Sequence, residues 1–244
     1  MLDVHPPHAP THTWKDFFIH IATICVGLLI AIGLEQTVEA AHHRHQRHQL
    51  EERLRFEAEH NIAVVQQNVA RLRQQSNYIE RVLIALNTAP EVQGRIDLDL
   101  SLFPKPEEAM FYLVTQPAQT AWTVAKTTGG IGLLPDEEAQ VYARLDYEAD
   151  QINGDLDFVR AQDGIIQLFR ARRGMPAPRT RTLTLTERDD LVKAFSFAST
   201  QYFDMFGLQL NESGACRGVL HGARSVDEMY RYMLDEFKQV PAIE

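Results

Sequence analysis

From Phe17 to Leu34 the chain reads FFIHIATICVGLLIAIGL, eighteen residues without a formal charge. A stretch this apolar must leave water, and its length decides what receives it. Counted from Trp14 as a helix it spans about 31 Å at 1.5 Å per residue, the thickness of a bilayer's hydrocarbon layer. Eleven of the eighteen are Phe, Ile, Leu or Val, worth roughly −3 to −6 kcal/mol of insertion before His20, Thr23 and the glycines subtract. Trp14 stands where an interfacial aromatic belongs. A cleaved signal peptide is the competing account, and Val38-Glu39-Ala40 offers small residues at a cleavage spacing. The run exceeds a signal peptide's usual apolar length, however, and Lys15 is the one lysine before it, against two aspartates. The expectation is an uncleaved anchor that crosses once.

Within the span Thr23, Gly27 and Ala31 recur every four residues, a small-xxx-small face that lets a second helix approach closely and so offers a homodimer contact. His20 lies one turn earlier, within reach of headgroups. Arg44, Arg47, Arg53 and Arg55 follow the span while Lys15 alone precedes it. The positive-inside rule taken by itself therefore puts the C-terminal part in the cytoplasm.

Past the anchor, 45% hydrophobic residues and 23% charged ones over 244 positions suffice for one real core. A net charge of −9 leaves no basic surplus to neutralise phosphates, so nucleic acid is not an expected partner. Cys25 and Cys216 are the two cysteines, nearly a chain length apart. They predict neither a mutual disulfide nor a cysteine-pair metal site.

No glycine or proline occurs between Glu35 and Asn87, so the spanning helix is expected to run on as a stalk. Ala58, Ile62, Val65, Val69, Leu72, Ser76, Ile79, Leu83 and Leu86 follow 4-3-4-3 spacing and predict a seam that packs against later helices of the same chain or, as the alternative, against a second copy. Pro90 and Gly94 break it. Ile96, Leu98, Leu100 and Leu102 then alternate with polar residues, as do Arg181, Leu183 and Leu185 between Arg179 and Thr186, predicting a two-stranded antiparallel ribbon with acids facing arginines. Helices are expected from Pro106 to near Thr115, and from Pro117 to Gly129-Gly130. A long one should start at Pro135, with Val141, Leu145, Ile152, Leu156, Val159 and Ile166 as its stripe, and end by Gly174. The next is capped by Thr186 and Asp189, and the last by a Ser225–Glu228 box.

The strongest compositional bias is His42, His43, Arg44, His45, Gln46, Arg47 and His48. His42, His45 and His48 sit three apart, so a helix brings neighbouring imidazoles to one transition metal or makes a collar that gains charge near neutral pH. Arg44, Arg47 and Arg53 repel a cation there, and headgroup contact is the blander account. Glu57-Ala58-Glu59-His60 has the Glu-x-x-His spacing of di-iron bundles but no second copy. Thr127-Thr128-Gly129-Gly130-Ile131-Gly132 lacks the Lys and Ser/Thr of a phosphate loop and reads as a helix cap. The aromatics Phe195, Phe197, Tyr202, Phe203 and Phe206 read as core. Asp146, Glu148, Asp150, Asp155 and Asp157 read as a solvated acidic face, and converge on no hydrolase site without a pocket. No cofactor is implied.

The stretch ATICVGLLIAIGLEQTVE, ending at Glu39, together with Thr120-Ala121-Trp122 leading into TTGGIGLLPDEEAQVYARLDYEAD, resembles a family of uncharacterised bacterial single-span membrane proteins. The likeness covers the anchor and the middle third of the chain and is weak after Arg173. It implies the same architecture and a domain outside the cytoplasm, with no catalytic residue to carry over, and so opposes the arginine-based orientation.

The resulting expectation is a mainly α protein: an N-terminal tail (1–13), a transmembrane helix (14–36), a stalk helix (37–87) and the remainder of a helical bundle (88–244). Its function would be that of a membrane-anchored interaction module rather than an enzyme, in a bacterial inner membrane with a periplasmic domain. Its partners would be the lipid bilayer and another protein or envelope component. The alternative is a metal- or pH-responsive sensor built on His42, His45 and His48, and a lesser one an unrecognised hydrolase.

Overall fold

The computed structural model describes residues 14–99, 114–167 (backbone alone from 156) and 180–239. The fold is mainly α, as expected, with one small sheet. Helix α1 runs without interruption from Trp14 to Thr88. It stops where Pro90 disfavours helical geometry in the residue before it.

The chain forms two compact units, Met1–Gln49 and Leu50–Glu244. In the first, the described residues are the opening half of α1, and every residue except Gly33 and Arg47 is exposed. It holds the one helix among the described residues long and apolar enough to cross a membrane.

In the second unit α1 turns one face to a core. Leu54, Ala58, Asn61, Val65, Asn68, Leu72, Gln75, Ile79, Val82 and Leu86 are buried, spaced 4-3-4-3 throughout. The expected seam is therefore half right: Ala58, Val65, Leu72, Ile79 and Leu86 hold. Ile62, Val69, Ser76 and Leu83, half-buried at the margin, give way to Asn61, Asn68, Gln75 and Val82. Both seams satisfy helical periodicity. The inward one won although it buries amides, because at least two of those amides have built partners.

After α1, β1 (Glu91–Val92), β2 (Arg95–Asp99) and β3 (Thr180–Thr184) form a three-stranded antiparallel sheet in that order, one strand more than the expected ribbon. Gln93 and Gly94 both take positive φ, 53° and 73°, the backbone of a two-residue hairpin turn whose twist suits the strands it joins. Asp97 faces Thr182 and Leu98 faces Arg181. The Thr182 hydroxyl donates a hydrogen bond to Asp97 across the pair. Ile96, Leu98 and Leu183 are buried. Leu100, Leu102, Arg179 and the helix expected from Pro106 lie outside the described residues.

Val114–Gln119 is not helical, so the helix expected to end near Thr115 does not include that residue. Helix α2 spans Thr120–Thr128, starting three residues later than Pro117, and ends on Gly129 at φ 76°. The glycine-rich stretch is a helix cap followed by a short 3-10 turn, Gly130–Leu133. Pro135 leads into α3, Asp136–Gln167. Val141 and Ile152 are buried in it and Leu145 half-buried, while the side chains of Leu156, Val159 and Ile166, and the expected end at Gly174, lie outside the described residues.

Helix α4, Leu185–Leu220, begins at Thr184, whose hydroxyl accepts the Glu187 amide while the Glu187 carboxylate accepts the Thr184 amide. This capping box, two residues before the expected Thr186 cap, fits the point where β3 ends. Glu187, held by those bonds, has its carboxyl pulled below the usual range. At the other end Ala223 N–H donates to Gly218 O and Gly222 N–H to Val219 O, with Gly222 at φ 78°, a Schellman turn. It leads into α5, Val226–Gln239, where Ser225 caps the Glu228 amide and the Glu228 carboxylate accepts from Arg224 rather than from Ser225.

Helix α4 packs on α3 and α5. A Cβ added at Gly214 would lie 2.3 Å from Met233 Cα, and one at Gly218 would lie 3.3 Å from Met229 Cα. Glycine at these two positions, one turn apart, sets how closely α5 approaches. The core falls into three clusters. One joins the end of α1 to the sheet and to Phe195, Tyr202 and Phe206 of α4. The second joins Ala58 and Val141 to Cys216, Met229 and Met233. The third joins Leu54 to Trp122, Ala125 and Leu134. Of the α4 aromatics, Phe197 and Phe203 are exposed instead.

Candidate functional site

Between these clusters lies a polar ladder. Asn61 and Asn68 are buried on α1, seven residues and so about 10.5 Å of helix apart. Each clamps the backbone of one residue in the strap Val114–Gln119. Asn68 accepts from Thr115 N–H at 2.9 Å and donates to Thr115 O at 2.8 Å. Asn61 accepts from Ala118 N–H at 2.8 Å and donates to Ala118 O at 3.0 Å. Three residues of near-extended chain rise about as far as two helical turns, which is why the rungs stay in register. The same amides reach α4: Asn68 donates to Gln209 Oε1 at 3.0 Å and Asn61 to Glu212 Oε1 at 3.1 Å. Glu57, one turn before Asn61, accepts Ala121 N–H at 2.8 Å. It thereby caps α2 from outside, where the capping residue Gln119 makes no side-chain cap of its own.

Glu212 is fully buried, and among the described residues no cation pairs with it. Its Oε1 accepts from Asn61 and from Cys216 Sγ at 3.4 Å, while its Oε2 has no partner. Burial pushes its carboxyl up to about 8, and the nearby charges of Glu148 and Glu57 add to that against the two hydrogen bonds. The Cys216 thiol is likewise driven well up by burial and by Glu212. Glu212 lines a narrow cleft with Glu57, Asn61, Gln119, Trp122, Tyr142 and Asp146, whose enclosed part has room for a water molecule and nothing larger. The arrangement can hold and release a proton. It offers no nucleophile–base pair, since the one thiol in reach is held protonated.

Of the five acids read as a solvated face, Glu148 is buried and bridged to Arg144, whose guanidinium lies over the rings of Tyr147 and Tyr230. Burial raises its carboxyl, with Arg144 opposing. Asp146 pairs with Lys126 at 2.8 Å and, like Asp150, accepts from Gln119. Asp155 is raised by burial and by Asp204; the side chain of Asp157 lies outside the described residues. The solvated-face reading is therefore corrected for Glu148, which is buried and lies near Glu212 of α4.

The residues singled out by spacing fall elsewhere. Thr23, Gly27 and Ala31 share an exposed face, with the Thr23 hydroxyl donating to Ile19 O and open space around Gly27. His42, His45 and His48 are exposed along α1, and the described residues bring no three metal-ligating side chains together. His60 is exposed, and His221 stacks on Tyr232 at the α4–α5 turn. Asn61, Asn68, Gln209 and Glu212 escaped sequence reasoning. The signal for the first two was present: with Leu54, Ala58, Val65, Leu72 and Gln75 they complete an unbroken heptad. No family model matches this chain, and no curated protein or solved structure is similar to it.

Proposed function

We propose that this chain is a single-span membrane protein whose helical domain is an interaction module, tethered on the periplasmic side of a bacterial inner membrane. The observation that carries the tether is the opening of α1, whose apolar window is long enough to span and wholly exposed. Eighteen uncharged residues left in water are expensive, and a bilayer removes that cost. In favour of interaction, α5 presents Tyr230, Leu234 and Phe237 at helical spacing on its exposed side, an apolar stripe that invites a partner. The periplasmic side follows the family resemblance and runs against Arg44, Arg47, Arg53 and Arg55.

An impermeant thiol reagent tests the topology in a Cys216→Ser chain carrying Gln67→Cys. Cys25 should label only after detergent, and labelling in intact membranes would overturn the tether. Gln67→Cys should label on intact cells, and protection there would place the domain in the cytoplasm. Crosslinking followed by purification should recover a partner that a Leu234→Asp chain loses; recovery of self or lipid alone would overturn the interaction reading.

A further inference from the structure

We infer that Glu212 is a proton-controlled latch for the strap: neutral, it lets Asn61 hold Ala118, and ionised, it favours opening of the cleft on the strap side.

The inference starts from where Glu212 sits. Its carboxyl is fully buried on α4, with donors on one oxygen and no partner on the other, and the residue lines a water-sized cleft. The charged and titratable groups around it are all of the wrong sign or already committed. From α1, Glu57 faces it. From α3, Glu148 is bridged to Arg144 and Asp146 to Lys126. On α4, Cys216 donates to it, and the neighbouring Ser213 and Arg217 hold Glu236 of α5. Asn61 and Cys216 donate to one oxygen, but among the described residues no cation pairs with the carboxyl, so burial drives an ionised Glu212 toward water.

Three walls of the cleft are parts of long helices. Leu54 and Asn61 belong to α1, Tyr142, Leu145 and Ala149 to α3, and Glu212 itself to α4. The fourth, Ala118–Gln119 running to Trp122, hangs on side chains: Asn61 on Ala118, Glu57 on Ala121, and Asp146 and Asp150 on Gln119. Hydrating Glu212 beyond the one water the cleft holds requires widening it on the strap side, at the Asn61–Ala118 rung, while the next rung, Asn68–Thr115, faces the uncharged Gln209. The molecule thus contains its own control: two equal backbone clamps, one beside a carboxyl and one beside an amide. The latch does not depend on the membrane reading.

Hydrogen exchange resolved at Ala118 and Thr115, on the full chain in detergent and corrected for intrinsic base catalysis, tests it. Between about pH 6 and about pH 9, protection at Ala118 should fall about tenfold for each unit up to the carboxyl's midpoint and level off above it, while Thr115 stays protected. In a Trp14→Phe chain the emission of Trp122, which lines the same cleft, should shift over the same range. Glu212→Gln should abolish both responses. Glu57→Gln, which keeps an acceptor for Ala121 but removes a neighbouring charge, should move the midpoint to lower pH. Parallel loss at Ala118 and Thr115, survival of the response in Glu212→Gln, or an unmoved midpoint in Glu57→Gln would each overturn the latch.

Discussion

The two halves of α1 are one unbroken helix, yet they solve opposite problems. Before Gln49 the helix is apolar on all sides of its first turns and buries nothing; after Leu50 it is polar outside and buries a strict heptad. The difference lies in how apolar residues are distributed, since a helix greasy all round seeks lipid and one greasy on a stripe seeks protein. It also shows what each half tolerates: the first has no neighbours to disappoint, and the second has committed even its amides.

The largest contrast is expected with pH. An unfolded glutamate ionises near 4.5 while folded Glu212 does so at about 8, so between those values the folded chain holds one more proton. Stability is then full below 4.5, falls as pH rises, and levels off above about 8. The slope approaches about 1.4 kcal/mol per unit, with Glu148 adding in the same direction. Thermal unfolding of the domain in detergent across this range should show it, and Glu212→Gln should flatten it.

Next in size is Asn61→Leu, which leaves Ala118 and Glu212 without partners and should cost about 2–4 kcal/mol in denaturant unfolding. Ile62→Asn, on the marginal seam, should cost less than half of that. A glycine pair sharpens the same comparison. Gly214→Ala pushes a methyl into the α5 backbone and should destabilise by about 1–3 kcal/mol, whereas Gly27→Ala meets open space and should leave unfolding unchanged. Smallest is Thr184→Ala, which removes half of the α4 capping box and should cost about 1 kcal/mol.

These contrasts mark what could be read from residues alone. The apolar run, the continuous helix, the Gly129 cap and the entry to α3 were legible because each depends on local pattern. β1 was not: two residues carry no period, and Gln93–Gly94 is not the usual hairpin pair. The seam was legible to within one residue of phase, and the choice between Ile62 and Asn61 turned on partners in Val114–Gln119 and α4, far away in sequence. Glu212 gave no signal at all, since a lone acid in a helix means nothing until its neighbours are known. Local periodicity found the elements, and long-range hydrogen bonding decided which face of them became the site.

Alkaline carbonate washing of vesicles containing the full-length chain tests the central contrast most directly. If the opening of α1 lies in lipid, the intact chain stays with the membrane pellet. Release of the full-length chain into the wash, or a mature species starting at Ala41, would contradict it.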